Sequence, residues 1–241
     1  WIESGKIPNE QDVEIQGTEP YIVGGHTASG FWVDTNRETT IQGLFAAGDV
    51  AGGCPQKYVT GALAEGKIAS LAIVEQLKNS DEKEAASFDN QAEEVLKSYE
   101  QIRNTENTLF AVDDLEEAMQ KVMDEYAGGI SSNYQFNEKQ LDLAEEKILK
   151  LKDLAEKTGA EDMHELLFAY ELKERLLVCQ VLIEHLKNRK ETRWHSFNEN
   201  LDHPETSRDF EKYVNSRMEN GKIKILFREL VKGDTYEHTN S

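Results

Sequence analysis

The sequence predicts an α+β chain in three parts, and three observations predict it. Most of its sixteen glycines and most of its β-like runs fall before residue 80. Residues 81–190 are acidic and carry apolar residues at helical spacing. Residues 191–241 lose that period, are aromatic and mixed in charge, and contain an alternating run, Gly221 to Leu230, that reads as a short strand.

In the first part, Tyr21-Ile22-Val23 and Gly30-Phe31-Trp32-Val33 read as short strands around a turn-like Gly24-Gly25-His26-Thr27-Ala28-Ser29. Asn36 to Thr40 is a polar turn. The apolar run Gly43-Leu44-Phe45-Ala46-Ala47 reads as a buried strand that stops at Gly48-Asp49. A loop with Gly52, Gly53 and Pro55 follows, then a helix over Gly61 to Lys78 with Leu63, Ile68, Leu71, Ile73, Val74 and Leu77 on or near its buried side. Strand, tight turn with one acid, and helix form a junction where backbone N–H groups and a helix dipole can meet a polar or anionic ligand atom. An acid at a strand end can accept hydrogen bonds from ligand hydroxyls, as acids do for ribose in dinucleotide folds. The same pattern also serves as a plain junction in an α/β protein.

The polar stretch Asn79 to Asn90 reads as a linker. Beyond it, Gln91 to Arg103 is a helix, and Asp113-Asp114 caps another that runs to about Tyr126 and ends at Gly128-Gly129. Asn137 starts a third, ending at Gly159, with Leu141, Ile148, Leu151 and Leu154 on one side. Glu161 to Lys190 is the longest and carries Leu166, Leu167, Tyr170, Leu176, Leu177, Val181, Leu182 and Leu186. Helices joined by short loops predict an antiparallel bundle. No internal repeat is present.

Composition excludes several functions. With 27 Lys and Arg against 46 Asp and Glu, the net charge of −19 argues against nucleic acid and anionic membrane surfaces as partners. The acid reads as a solvated helical face or as a docking surface for a basic partner subunit. No apolar run approaches the roughly 18 residues a membrane span needs. Cys54 and Cys179 have no metal-binding spacing and are not expected to pair, so no metal site and a cytoplasmic setting are expected. The chain opens at Trp1 without a signal sequence, and is expected to be part of a longer protein.

Single residues stand out by chemistry. His26, among three glycines in seven residues, is either a turn histidine without a task or a group that donates a proton or binds an oxyanion. Lys57 is either a solvated loop lysine or a point charge for an anion. Cys54 reads as a small packing residue, with a nucleophilic thiol as the alternative.

The wording of these segments resembles one superfamily. Gly43-Leu44-Phe45-Ala46-Ala47-Gly48-Asp49-Val50-Ala51-Gly52-Gly53 is similar to the C-terminal flavin-contacting segment of the fumarate reductase/succinate dehydrogenase flavoproteins. Within it, Glu19-Pro20-Tyr21-Ile22-Val23-Gly24-Gly25-His26, Trp32-Val33, the Pro55 to Gly61 loop and Glu65-Gly66-Lys67-Ile68-Ala69 resemble the adenylylsulfate reductase alpha-subunit family. Glu191-Thr192-Arg193, Leu201-Asp202-His203-Pro204 and Tyr213-Val214-Asn215-Ser216-Arg217 resemble segments near the family's C-terminus.

The resemblance implies the C-terminal piece of an FAD-binding α/β domain (residues 1–80), then a helical bundle (81–190) and a tail that packs back on the flavin domain (191–241). It implies that Asp49, after Gly48, binds the FAD ribityl chain. Lys57, Tyr58 and Val59 would lie near the flavin pyrimidine edge, and His26 at the substrate face. The parent enzyme is then expected to reduce adenylylsulfate to AMP and sulfite through FAD, with electrons from an iron–sulfur beta subunit. Fumarate and succinate enzymes carry a loop arginine that grips a dicarboxylate; here no arginine occurs between Arg37 and Arg103. The Gly-x-Gly-x-x-Gly fingerprint is absent from this chain, so the FAD site is expected to be incomplete and the fragment alone inactive. A dicarboxylate flavoenzyme of fumarate reductase or aspartate oxidase type, and an acidic helical interaction module, remain as alternatives.

Overall fold

Short extended segments, rather than full strands, build the first part of the molecule. The computed structural model describes residues 30–52, 59–79, 88–105, 109–193 and 198–230. The chain divides into two units, Trp1–Lys83 and Glu84–Ser241. In the first, Phe31 bridges Ala51 in parallel, while Val33 pairs with Thr39 and Glu38 with Phe45 in antiparallel sense. Phe31 N–H donates to Val50 O and Gly52 N–H to Phe31 O, both at 2.8 Å, and Ala46 N–H donates to Arg37 O at 3.0 Å. Gly30 makes the parallel approach possible: a Cβ there would lie 2.5 Å from the Ala51 carbonyl carbon. The expected strands at Gly30–Val33 and Leu44–Phe45 are therefore isolated bridges, because the turn from Asp34 to Arg37 interrupts them after two or three residues. Leu44 is half exposed and Ala46 is buried, so the expected buried strand is an exposed edge with one inward alanine. Tyr21-Ile22-Val23 lies outside the described residues.

Helix α1 runs Val59–Asn79. Its expected apolar face is not buried: Leu63 and Leu77 are 70% and 68% exposed, and Glu65 and Ala69 are the buried positions. Ala62 of α1 lies against Gly48, where its small side chain lets the two backbones approach closely.

The second unit is helical: α2 Asp89–Arg103, α3 Val112–Tyr126, α4 Glu138–Ala155 and α5 Met163–Asn188. Asp113 and Asp114 fall in the first turn of α3 rather than at its cap, where acids favour the positive end of the helix dipole. Gly128, at φ +79°, follows its end. Asn137 caps α4 as expected, accepting from Gln140 N–H at 2.9 Å, a contact worth about 1 kcal/mol. Asp162 caps α5, accepting from His164 N–H at 2.8 Å and Glu165 N–H at 2.9 Å. These two backbone bonds hold its carboxyl below the usual carboxylate range.

Leu141 and Ile148 of α4 meet Leu172, Leu176 and Ile183 of α5 in one core, with Leu115, Met119 and Val122 of α3. Burying each such leucine or isoleucine contributes about 1.5–3 kcal/mol. A smaller cluster, Ile102, Ala160, Leu166 and Ala169, joins α2 to α5. Along α5 the inward set is Leu166, Ala169, Leu172, Leu176 and Ile183, whereas Leu167 and Leu182 are exposed.

Two small sheets complete the unit. Strand β1, Gln135–Phe136, pairs in parallel with β2, Glu199–Asn200. The expected strand in the tail is β4, Lys222–Glu229, and it pairs antiparallel with β3, Lys212–Glu219, around Asn220-Gly221. Arg189 Nη2 donates to Phe210 O at 2.9 Å, and Phe210 meets Phe227 edge to face at 5.9 Å, so these parts of the tail are held within the helical unit. Among the described residues no helix is long and apolar enough to cross a membrane.

Candidate functional site

The Gly48-Asp49 turn is built from three segments of the first unit. Gly48–Val50 form a single 3₁₀ turn, entered from an extended Ala47 and closed by Ala51 N–H donating to Gly48 O at 3.0 Å. Gly48 has φ +78°, a conformation that costs an L-residue energy. A Cβ there would lie 3.2 Å from the Ala62 Cβ, so the turn rests on the first turns of α1. Asp49 is exposed at its tip.

The turn is held from behind by an acid to which the sequence reading gave no role. Glu65 of α1 is 5% exposed. One of its oxygens accepts from Gly48 N–H at 3.0 Å. The other lies 3.2 Å from Arg37 Nε. That contact is a charge pairing rather than an aligned hydrogen bond, since the buried Nε makes none. Arg37 also donates from Nη1 to the carbonyls of Asp34 and Thr35 at 3.2 and 3.3 Å. The adjacent Glu38 accepts from Gly43 N–H and from Gln76 Nε2, both at 2.7 Å, tying the same turn to a later part of α1. The available signal was helical spacing: Ala62, Glu65 and Ala69 share one face of α1, and an acid between two alanines marks a face close to backbone.

Of the expected site residues, Gly48 and Asp49 are thus placed together, with Val59 exposed as the first residue of α1. The first N–H groups of a helix have no intrahelical partner, so this end of α1 can receive a ligand acceptor. His26, Lys57, Tyr58 and Cys54 lie outside the described residues. Cys179 is half-buried in α5, and burial pushes its thiol pKa up, the opposite of the shift that activates a cysteine. Among the described residues no cluster of His, Cys, Asp or Glu is placed to hold a metal ion.

Arg193 is engaged in the tail. It donates to Glu191 from Nε at 3.0 Å and from Nη2 at 2.8 Å, and to Ser207 O at 3.0 Å. Arg189 Nε donates to the same carboxylate at 2.8 Å, and so does Ser207 N–H at 3.0 Å. Between the two arginines, buried Thr192 accepts from Asn200 N–H and donates to His203 O. The Glu-Thr-Arg motif closes the junction between α5 and the tail.

The fold is similar to that of part of a fumarate reductase flavoprotein: Escherichia coli quinol fumarate reductase aligns over 83% of this chain and 36% of its own, with a TM-score of 0.69 at 22% identity. The chain is homologous to the alpha subunit of adenylylsulfate reductase. It is 28% identical over 232 residues to that subunit from Megalodesulfovibrio gigas, covering 82% of this chain and 34% of the relative. The Archaeoglobus fulgidus adenylylsulfate reductase structure superposes with a TM-score of 0.74 at 32% identity, over 81% of this chain and 33% of that one. An uncharacterised FAD-dependent oxidoreductase of Methanocaldococcus jannaschii is 32% identical over 203 residues, 80% of this chain and 35% of its own. The chain thus spans about a third of the length of the relatives it matches. No protein-family model matches it. A flavoprotein oxidoreductase is the class that these likenesses support.

Proposed function

We propose that this chain is the C-terminal part of an FAD-dependent adenylylsulfate reductase alpha subunit, which reduces adenylylsulfate to AMP and sulfite in the cytoplasm with electrons from an iron–sulfur beta subunit. One observation carries the reading: the Gly48-Asp49 turn is seated on α1 in a chain 32% identical to the Archaeoglobus reductase.

The residues present fit an FAD edge. Gly48 offers backbone without a side chain, in a turn that only glycine adopts at low cost. Asp49 stands exposed beside it, where its carboxylate can accept hydrogen bonds from the ribityl hydroxyls. In this reading Tyr58 and Val59 supply backbone amides to the flavin pyrimidine edge, and Lys57 a point charge there or at the sulfate. His26 holds or polarises the sulfate of the substrate. When bound, FAD supplies the two-electron chemistry, and this chain's residues position it and the substrate. The chain alone offers one side of the site and is inactive by this reading.

The full-length protein tests the proposal. It should purify with FAD, and adenylylsulfate should reoxidise the reduced flavin with release of AMP, whereas fumarate should not. Reoxidation by fumarate alone would replace the substrate assignment with a dicarboxylate. A full-length protein that holds no flavin would refute the reading as a whole.

A further inference from the structure

We propose that Glu65 is a positioning residue for the cofactor turn, acting through the Gly48 amide. The inference rests on the reading of that turn as an FAD contact. A carboxylate buried to this degree is costly unless it is paired, and each of the two segments packed against α1 supplies a partner. Gly48 N–H binds one oxygen at 3.0 Å. Arg37 sits 3.2 Å from the other and is itself anchored to the carbonyls of Asp34 and Thr35. Glu65 is therefore the point where the polar turn, the glycine turn and α1 meet.

The hydrogen bond falls on the residue whose conformation sets the direction of Asp49. With Gly48 at φ +78°, a small rotation there swings the next carboxylate. Glu65 fixes that rotation by holding the Gly48 amide, and the rigid helix behind it fixes Glu65. Reach, rather than charge, is then the property that matters. A glutamine keeps an oxygen at the same distance from the backbone and can still accept from Gly48 N–H. An aspartate keeps the charge but is shorter by one methylene.

The test uses the full-length protein and reads FAD affinity by flavin fluorescence on titration of the apoprotein, together with the absorption spectrum of the bound flavin. Glu65→Ala should weaken FAD binding by about tenfold, the loss expected for one buried hydrogen bond to the Gly48 amide. Glu65→Gln should stay within about threefold of the parent, and Glu65→Asp should resemble the alanine variant. Gln76→Ala removes a different tie between α1 and the polar turn, the bond to Glu38, and should leave affinity unchanged.

Equal affinity for the parent and Glu65→Asp, or a glutamine variant weaker than the aspartate one, would overturn the proposal. Equal losses in Gln76→Ala and Glu65→Ala would do the same, since they would mark a general packing effect. If the alanine variant does not fold, the order of glutamine and aspartate decides. A parent protein without FAD affinity fails earlier and refutes the site reading itself, whereas normal FAD binding in the parent with an insensitive Glu65 refutes the positioning role alone.

Discussion

Glu191 shows how much one residue can carry that its sequence context conceals. Its side chain is fully buried, and it accepts from Arg189, Arg193 and Ser207 N–H. Burial alone would push its carboxyl pKa up. The bonds from Arg193, the Ser207 amide and Arg189 outweigh that and hold it below the ordinary value of 4.5. The stability it contributes is therefore present above the unfolded-state pKa, and is lost as pH falls through the lower folded-state pKa. Glu191→Gln should cost about 2 kcal/mol at neutral pH, less than a fully buried pair because both arginines are about a third exposed. It should also flatten the fall in melting temperature between about pH 5 and pH 2. Thermal melts of parent and variant across that range check both; parallel acid limbs would remove Glu191 from the account. The Glu-Thr-Arg motif was legible as a resemblance. That Arg189, two residues upstream, and Ser207, sixteen residues on, close on the same carboxylate was not. The turn at Gly48 and Asp49 was legible for the opposite reason: a glycine and an acid at the end of an apolar run mark a chain reversal locally. Glu65 acts at a separation of 17 residues: its spacing between Ala62 and Ala69 marks a face close to backbone but does not name the Gly48 amide as its partner.

Elements were readable where a local rule decides them. Asn137 sets the start of α4 through its own side chain, where the sequence places it; Asp162 does the same for α5, which begins at Met163, two residues inside the start expected at Glu161. The apolar residues of α1 and α5 were harder, because spacing defines a face but not which of two faces is covered. The tail hairpin had the stronger signal, and it was missed. Strand β4 alternates visibly, while its partner β3, KYVNSRME, is too polar to stand out. The turn between them is Asn220-Gly221, with φ of +51° and +73°, the primed geometry that matches strand twist. A Cβ at Gly221 would meet nothing within 4 Å, so the cost of replacing it is conformational alone. Gly221→Ala should therefore destabilise the hairpin by about 1 kcal/mol without disturbing the helices. Faster amide hydrogen exchange along β3 and β4, with α4 and α5 unchanged, is the expected result. Unchanged exchange in the hairpin would show that packing against α5, rather than the turn, sets its register.

At the scale of the molecule, apolar burial is divided unevenly. Among the described residues of the first unit, the buried apolar side chains are Ala46, Ala51 and Ala69. The second unit buries Leu115, Phe136, Leu141, Ile148, Leu172, Leu176 and Ile183, among others. An alanine adds well under the 1.5–3 kcal/mol of a buried leucine or isoleucine. The first unit instead relies on backbone bridges and on the Glu65 and Glu38 ties, while Leu63, Leu71 and Leu77 face outward. Local stability follows buried apolar contact, so the two units of the isolated chain should open at different free energies. Hydrogen exchange should show low protection over 30–79 and the highest protection in α4 and α5. Limited proteolysis should cut within residues 30–79 first and leave a helical product that begins after about residue 84. If the long-lived product instead retains residues 30–79, or if their amides are as protected as those of α4, the backbone ties are strong enough alone. The turn that presents Asp49 would then be preformed in this chain, independent of the outward leucines finding cover.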